Sequence, residues 1–337
     1  MRRLTWFSVA IILAMAGQAL AQQAASVESL RDKQTLTDTE RQQVRVWLQA
    51  AAAGIVAATD TENRGMISAR ENILNEVRRD VSRSPAYLQV VGEETVAVFK
   101  DAEKKAVSQA ARVNMLMVVS EMRRLEAVPM LEAALAKDPY PASRYWAARG
   151  LNLVADVVVE KIQPRVEAEM ADSVAKILDT ESSSVVLYQV FEMLGKFDND
   201  RARDVLAEGV VKVAPRLNAA DAVSAQLMNL MIAGLEKAYS RDSRPAAKIR
   251  AMDGFATLCA WVMPPVADSN VMFGINASLE KITGEKVGFQ ASDSPVMQKM
   301  ALVEWVEKLL RDKKISKRPT VPAAIEEVVK DMTDAAK

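Results

Sequence analysis

LEAALAKDPYPASRYWAARGL, residues 131–151, and LEKAYSRDSRPAAKIRAMDGF, residues 235–255, align without a gap. Eight positions are identical: Leu131, Glu132, Ala134, Asp138, Pro141, Ala142, Ala147 and Gly150 in the first copy. Self-similarity of this kind in a helix-rich chain points to an α-solenoid of stacked antiparallel helix pairs, in which no single unit buries its apolar face alone.

The physics of each copy fits two helices joined by a turn. Pro141 and Pro245 stand where the second helix begins, a position whose backbone N–H has no intrahelical partner to lose. Asp138 and Asp242 are placed to accept hydrogen bonds from free amides in the turn. Gly150 and Gly254 fall inside the second helix, where each costs about 1 kcal/mol relative to Ala. Their recurrence at one repeat position implies a close helix crossing.

Helical periodicity extends over nearly the whole chain, so the expected fold class is all-α, with divergent N-terminal helices. Apolar spacing predicts helices from Val44 to Val56 and around Ile73 to Val77, then over 93–108 and 110–125. Further helices are expected over 128–137, 142–158, 168–178, 184–196, 202–213, 220–239, 246–262, 270–282 and 296–311. The organisation that follows is a segment 1–21, an N-terminal helical region 22–125, a repeat region 126–312, and a basic linker with a short terminal helix over 313–337.

The two copies resemble HEAT or HEAT-like repeats, whose turn carries an Asp followed six residues later by Arg or Lys. Asp138 with Arg144 and Asp242 with Lys248 have that spacing. The resemblance implies that these four residues link successive repeats in the turn layer and are structural. Residues 174–194 resemble the unit more loosely, with Glu181 in place of the Asp and Leu187 in place of the Arg. LEKITGEKVGF, residues 279–289, followed by Trp305, resembles the closing unit of secreted bacterial HEAT-like proteins. Within it, Gly284 reads as the residue that ends a helix.

Met1-Arg2-Arg3, the apolar run from Leu4 to Ala16, and Ala19-Leu20-Ala21 read as a secretory signal cleaved before Gln22. The run is shorter than the roughly 20 apolar residues of a spanning helix. An exported protein, periplasmic or extracellular, with no membrane span in the mature chain is therefore expected. The 44 basic and 44 acidic residues balance, which is not the footprint of a nucleic-acid binder. A lone Cys259 forbids an intrachain disulfide. The chain has no His, which excludes Ser-His-Asp and Cys-His nucleophiles and His-ligated zinc.

Carboxylate chemistry remains open, as a helical glycan-cleaving enzyme with a catalytic Glu. The Glu-Ser and Gly-Leu-Met-Gln pattern of lytic transglycosylases is missing, however, because Glu181-Ser182 runs into Ser183-Ser184-Val185. With 5% aromatics, a sugar-stacking cleft is poorly supplied. Residues 60–71, DTENRGMISARE, form an EF-hand-like loop with Asp60, Gly65, Ser68 and Glu71 in register, but Glu62 and Arg64 occupy positions where shorter oxygen ligands belong. A polar turn is the plainer reading. Glu93-Glu94 reads as a solvated helix face, Asp198-Asn199-Asp200 as helix capping, Cys259 as a buried small hydrophobe, and Met228, Met231 and Met252 as core filler. No catalytic residue, metal ligand or cofactor is expected. The function expected is a scaffold that binds a macromolecule, a protein first of all.

Overall fold

Among the described residues, thirteen α-helices and four short 3-10 turns make up the regular structure, and no strand occurs. The computed structural model describes residues 27–57, 64–78, 83–106, 108–217, 222–261, 269–288, 290 and 293–319. The segment 1–21 expected to be a secretory signal, positions 60–63 of the calcium-like loop and the terminal helix expected over 323–335 lie outside the described residues. The all-α expectation holds.

The chain divides into two compact units, Met1–Val157 and Val158–Lys337. The first contains α1 (Asp38–Val56), α2 (Arg64–Val77), α3 (Pro85–Ala102), α4 (Gln109–Glu121), α5 (Val128–Lys137) and most of α6 (Pro141–Glu160). The second contains α7 (Pro164–Ala175), α8 (Ser184–Lys196), α9 (Asp200–Val213), α10 (Ala222–Arg241), α11 (Pro245–Trp261), α12 (Ser269–Thr283) and α13 (Pro295–Arg311).

Local chemistry sets the ends of these helices. Thr37 and Glu40 form a reciprocal capping box at the start of α1. Ser84 accepts from the Tyr87 N–H and Pro85 opens α3, so that helix begins at Pro85 and not near Glu93. The Ser84-Pro85 pair is thus the start of a helix. Asn199 and Ser294 cap α9 and α13. Gly284, at φ +75°, follows α12 and closes it, as its sequence position implies.

Ile162 holds the same left-handed conformation after α6, at φ +52° and 83% exposed. A β-branched residue pays a steric penalty there that glycine does not. Ile162→Gly is expected to raise stability by about 1 kcal/mol, measured as a higher denaturant midpoint with an unchanged slope.

In the first unit, α1 packs on α2 and α3, and α2 packs on α4. Val44, Leu48, Ile73, Val91, Phe99 and Leu116 form its core. In the second unit, helices two apart in sequence pack side by side: α7, α9, α11 and α13 in one row, α8, α10 and α12 in the other. Between the rows, α9 packs on α8 and α10, and α11 packs on α10 and α12. Met228, Met231 and Met252 are buried, as expected of core filler.

The recurring glycines mark the closest approaches. A Cβ at Gly150 would lie 2.9 Å from Leu131 and 2.7 Å from the Ser120 hydroxyl, and one at Gly254 would lie 2.7 Å from Leu235. The leucine that opens each repeat therefore seats on the glycine nineteen positions along. Lysines cap exposed helix C-termini from the next helix in the row: Lys237 donates to the Gly195 and Phe197 carbonyls at 2.7 and 2.9 Å. A cation at the negative end of a helix dipole is favourable.

Glu93 and Glu94 do not form a solvated face. Glu94 is 4% exposed and accepts from Arg45 at 2.6 Å, with Arg41 at 3.2 Å. Glu93 pairs with Arg41 and with Arg124. Both carboxylates stitch α3 to neighbouring segments, a use that adjacent acidic letters do not reveal.

Candidate functional site

Asp138, Arg144, Asp242 and Lys248 all lie in or beside the two repeat turns. In the first copy, Asp138 Oδ1 accepts from the Tyr140 N–H at 3.0 Å, and Oδ2 accepts from Arg112 at 3.3 Å. Arg144 donates to the Asp138 carbonyl at 3.1 Å and to the Pro139 carbonyl at 3.3 Å. In the second copy, Asp242 Oδ1 accepts from the Arg244 N–H at 2.9 Å, the same two-residue turn. Its carboxylate also takes Arg244 Nη2 at 2.6 Å and Arg203 Nε at 3.3 Å. Lys248 stands over the Tyr239 ring, 5.2 Å from its centroid. The step from Asp to the basic residue six positions on is therefore made differently in the two copies. Arg244, two residues from Asp242, pairs with the carboxylate in the second copy.

A third copy emerges from the contacts. Arg203 donates to the Asp198 carbonyl at 3.1 Å, as Arg144 does to Asp138. A Cβ at Gly209 would lie 2.6 Å from Leu178, as close as the repeat glycines come to their leucines, and 3.3 Å from the Phe191 ring. Phe191, Asp198, Arg203 and Gly209 thus repeat the pattern of Leu131, Asp138, Arg144 and Gly150 with one residue deleted in the turn. Asp198 to Asp200 is more than a helix cap: Arg241 pairs with Asp198, and Arg203 pairs with Asp198, Asp200 and Asp242.

Glu181, in the looser copy, accepts from the Ser182 and Ser183 amides at 3.0 and 2.9 Å, doing the work of the Asp. Its turn lies at the other end of α9, where Arg216 donates to the Asp179 carbonyl at 3.0 Å. Residues 174–194 are consequently out of phase with 235–255.

Asp242 is 3% exposed, and the hydrogen bonds from Arg244 hold its carboxyl far below the usual range against the opposing effect of burial. Asp242→Ala is expected to cost about 2 kcal/mol and Asp138→Ala about 1 kcal/mol, since the latter loses one amide and one half-exposed guanidinium. Chemical denaturation of the two variants checks the order; equal losses would remove the distinction.

A groove lies on the second unit between α9, α11 and the segment that follows α13. Its volume is about 420 Å³. Ala207, Val211 and Pro215 give it an apolar floor, and Glu208, Lys212, Arg250, Asp253 and Lys317 place charges of both signs around it. Arg250 is held against Asp204 at 2.7 Å. Asp253 accepts the Ser316 N–H and hydroxyl, both at 2.7 Å, which fixes the chain after α13 across α11. The first unit has an open cleft of about 500 Å³ floored by Leu74, Val77, Leu88 and Met122.

Compared with family models and with curated proteins, the chain matches none.

Residues 64–71 of the calcium-like stretch form the first turns of α2, with Met66 fully buried. Glu71, the expected bidentate ligand, accepts from Arg70 at 3.1 Å and Arg78 at 2.7 Å. A helical backbone and two guanidiniums replace the open oxygen-lined loop that calcium needs. No group of metal-ligating side chains forms among the described residues. Cys259 is fully buried, and burial pushes its thiol up to about 12. Glu76, Glu236, Asp242 and Glu285 all have lowered carboxyl pKa values, each beside a cation. A general acid for glycan cleavage needs the opposite shift. No helix among the described residues is long and apolar enough to cross a membrane.

Proposed function

We propose that the chain is an exported, non-enzymatic binding protein, an α-solenoid of HEAT-like helix pairs that presents the α9–α11 groove to a protein partner. The observation that carries this reading is the groove itself, an apolar floor ringed by charge on one row of helices. Binding surfaces of that composition bury an apolar anchor and use the rim for orientation. The alternation of rows in the second unit supports the solenoid, as do turns tied by Arg203 and Arg244. The resemblance to HEAT-like repeats supplies the same expectation from sequence. Lowered carboxylates, a buried thiol and the lack of His all favour binding over catalysis. The signal-like segment at 1–21 supports export, with maturation before Gln22.

The test is a photo-crosslinking residue at Val211, in the groove, and another at Val185, exposed on α8. In cells that export the protein, a protein adduct at Val211 and none at Val185 is the expected result. Adducts at both positions, or a glycan or nucleic acid at Val211, overturn the reading. Mass spectrometry of the exported chain checks that it starts at Gln22.

A further inference from the structure

We propose that residues 312–319 form a strap that fills one side of the α9–α11 groove in place of a partner, and that the partner displacing it offers a basic side chain to Asp253. This regulation belongs to the groove just assigned to a protein partner and rests on that assignment. The strap is lightly held. After α13, Lys313 turns the chain at φ +55°, and the Lys314 N–H closes the helix end on the Leu309 carbonyl at 2.9 Å. Between 312 and 319 only Ile315 is buried, at 4% exposure. Ser316 donates its N–H to Asp253 Oδ1 and its hydroxyl to Asp253 Oδ2, both at 2.7 Å and both open to water. Arg318 returns to α13 and pairs with Glu307 at 2.5 Å, again at the surface. An exposed ion pair adds little, so one aliphatic side chain and one exposed latch hold the segment. Segments with few buried contacts open well before a whole domain does.

Charge pairing shows what the strap stands in for. Two groove cations are already neutralised, Arg250 by Asp204 and Lys212 by Asp179, each at 2.7 Å. Among the described residues Glu208 has no ion-pair partner, and the Asp253 carboxylate accepts from Ser316 alone. Lys317, the groove cation without a carboxylate partner among the described residues, belongs to the strap. Shut, the strap therefore brings a cation and two donors to a groove that holds two carboxylates of its own. Opened, it takes those away and leaves Glu208 and Asp253 beside the apolar floor of Ala207 and Val211. A guanidinium presents paired N–H groups in the fork that a carboxylate accepts. An arginine next to an aliphatic residue thus reproduces what Ser316 and Lys317 supply, and an acidic segment does not. A strap that must leave first lowers the apparent affinity by the fraction of chains in which it is open.

Fluorescence anisotropy with the full chain tests this, using a short amidated peptide of alternating leucine and arginine as the probe. Ser316→Pro removes both donors without adding charge, and Ile315→Ala removes the anchor. The double variant is expected to bind the probe about tenfold more tightly than the parent, the factor for a strap shut about nine-tenths of the time. Ser316→Ala, which loses the hydroxyl bond alone, is expected to give a smaller gain in the same direction. Glu208→Gln and Asp253→Asn, added to the double variant, are expected to remove the gain. Thiol labelling of Val211→Cys is expected to quicken in the double variant while Val185→Cys, exposed on α8, keeps its rate, which separates strap release from general loosening. The native Cys259 is fully buried and stays silent. Equal probe affinity in the parent and both strap variants overturns the gate, as does equal labelling at Val211→Cys. Tighter binding of a leucine–glutamate peptide overturns the basic partner. A protein adduct at Val211 in cells together with equal probe affinities would leave the groove a binding surface and remove the strap from its control.

Discussion

Glu76→Gln is expected to lower the stability of the first unit by about 3 kcal/mol, the range for a buried ion pair that loses one partner. Glu76 is 5% exposed and stands at the meeting point of three elements. Its Oε1 accepts from Arg31 Nη2 at 2.6 Å, and its Oε2 accepts from Arg31 Nε at 3.1 Å, Arg83 Nε at 3.1 Å and the Tyr87 hydroxyl at 3.0 Å. Glutamine fills the same space but removes the charge that two guanidiniums require, and it turns an amide NH2 toward donors. Burial raises the Glu76 carboxyl pKa, and the bonds and charges of Arg31, Tyr87 and Arg83 outweigh burial, so the net shift is downward from 4.5.

A carboxyl lowered by folding adds stability that is complete above its unfolded value and is lost as pH falls through its folded value. The gap between the parent and Glu76→Gln is therefore expected to be largest at neutral pH and to narrow below about pH 4.5. Urea unfolding at pH 7 and pH 3 measures both. A gap that persists undiminished at low pH would show that the effect is steric and not ionic.

Much of the architecture was legible in the sequence, and the misses have physical causes. Asp138 and Asp242 mark their turns because an Asx turn needs a short acceptor two residues before the amide it takes, and that spacing survives in the letters. Gly150 and Gly254 mark helix crossings because only glycine tolerates the approach. The copy from Phe191 to Val210 stayed hidden because one residue is deleted in its turn, which breaks an ungapped alignment while leaving the contacts of Arg203 and Gly209 intact. A comparison anchored on the six-residue step from Arg144 to Gly150, Arg203 to Gly209 and Lys248 to Gly254 would have found it.

Glu94 was misread for a different reason. Its partners Arg41 and Arg45 sit on a helix some fifty residues away, and nothing in the local pattern distinguishes a carboxylate facing water from one facing arginine. The groove was illegible for the same reason. Its walls come from α9, α11 and the segment after α13, which only the fold brings together.

Lys299 supplies the alkaline counterpart of Glu76, in the second unit. It is 5% exposed on α13, and its ammonium donates to the carbonyls of Cys259 and Ala260 at the end of α11, both at 2.6 Å. Burial is the dominant influence and pushes its pKa down from 10.5 to about 8. Above that pH the neutral amine keeps two N–H groups, enough for both carbonyls, so deprotonation removes a buried charge without breaking the cap.

The sign follows from proton counting. Between about pH 8 and pH 10.5 the unfolded chain holds a proton that the folded chain has released, so stability rises with pH across that window. The contribution is complete above the unfolded value and disappears as pH falls through the folded one. At 1.36 kcal/mol per pH unit, the parent is expected to gain about 3 kcal/mol over Lys299→Met between pH 7.5 and 10.5. Taking the difference between the two proteins cancels the tyrosines and the other lysines. Cys259, pushed up to about 12, stays a neutral thiol throughout. A pH-independent difference would mean that Lys299 keeps its water in solution, and that the end of α11 is capped by an exposed side chain and not a buried one.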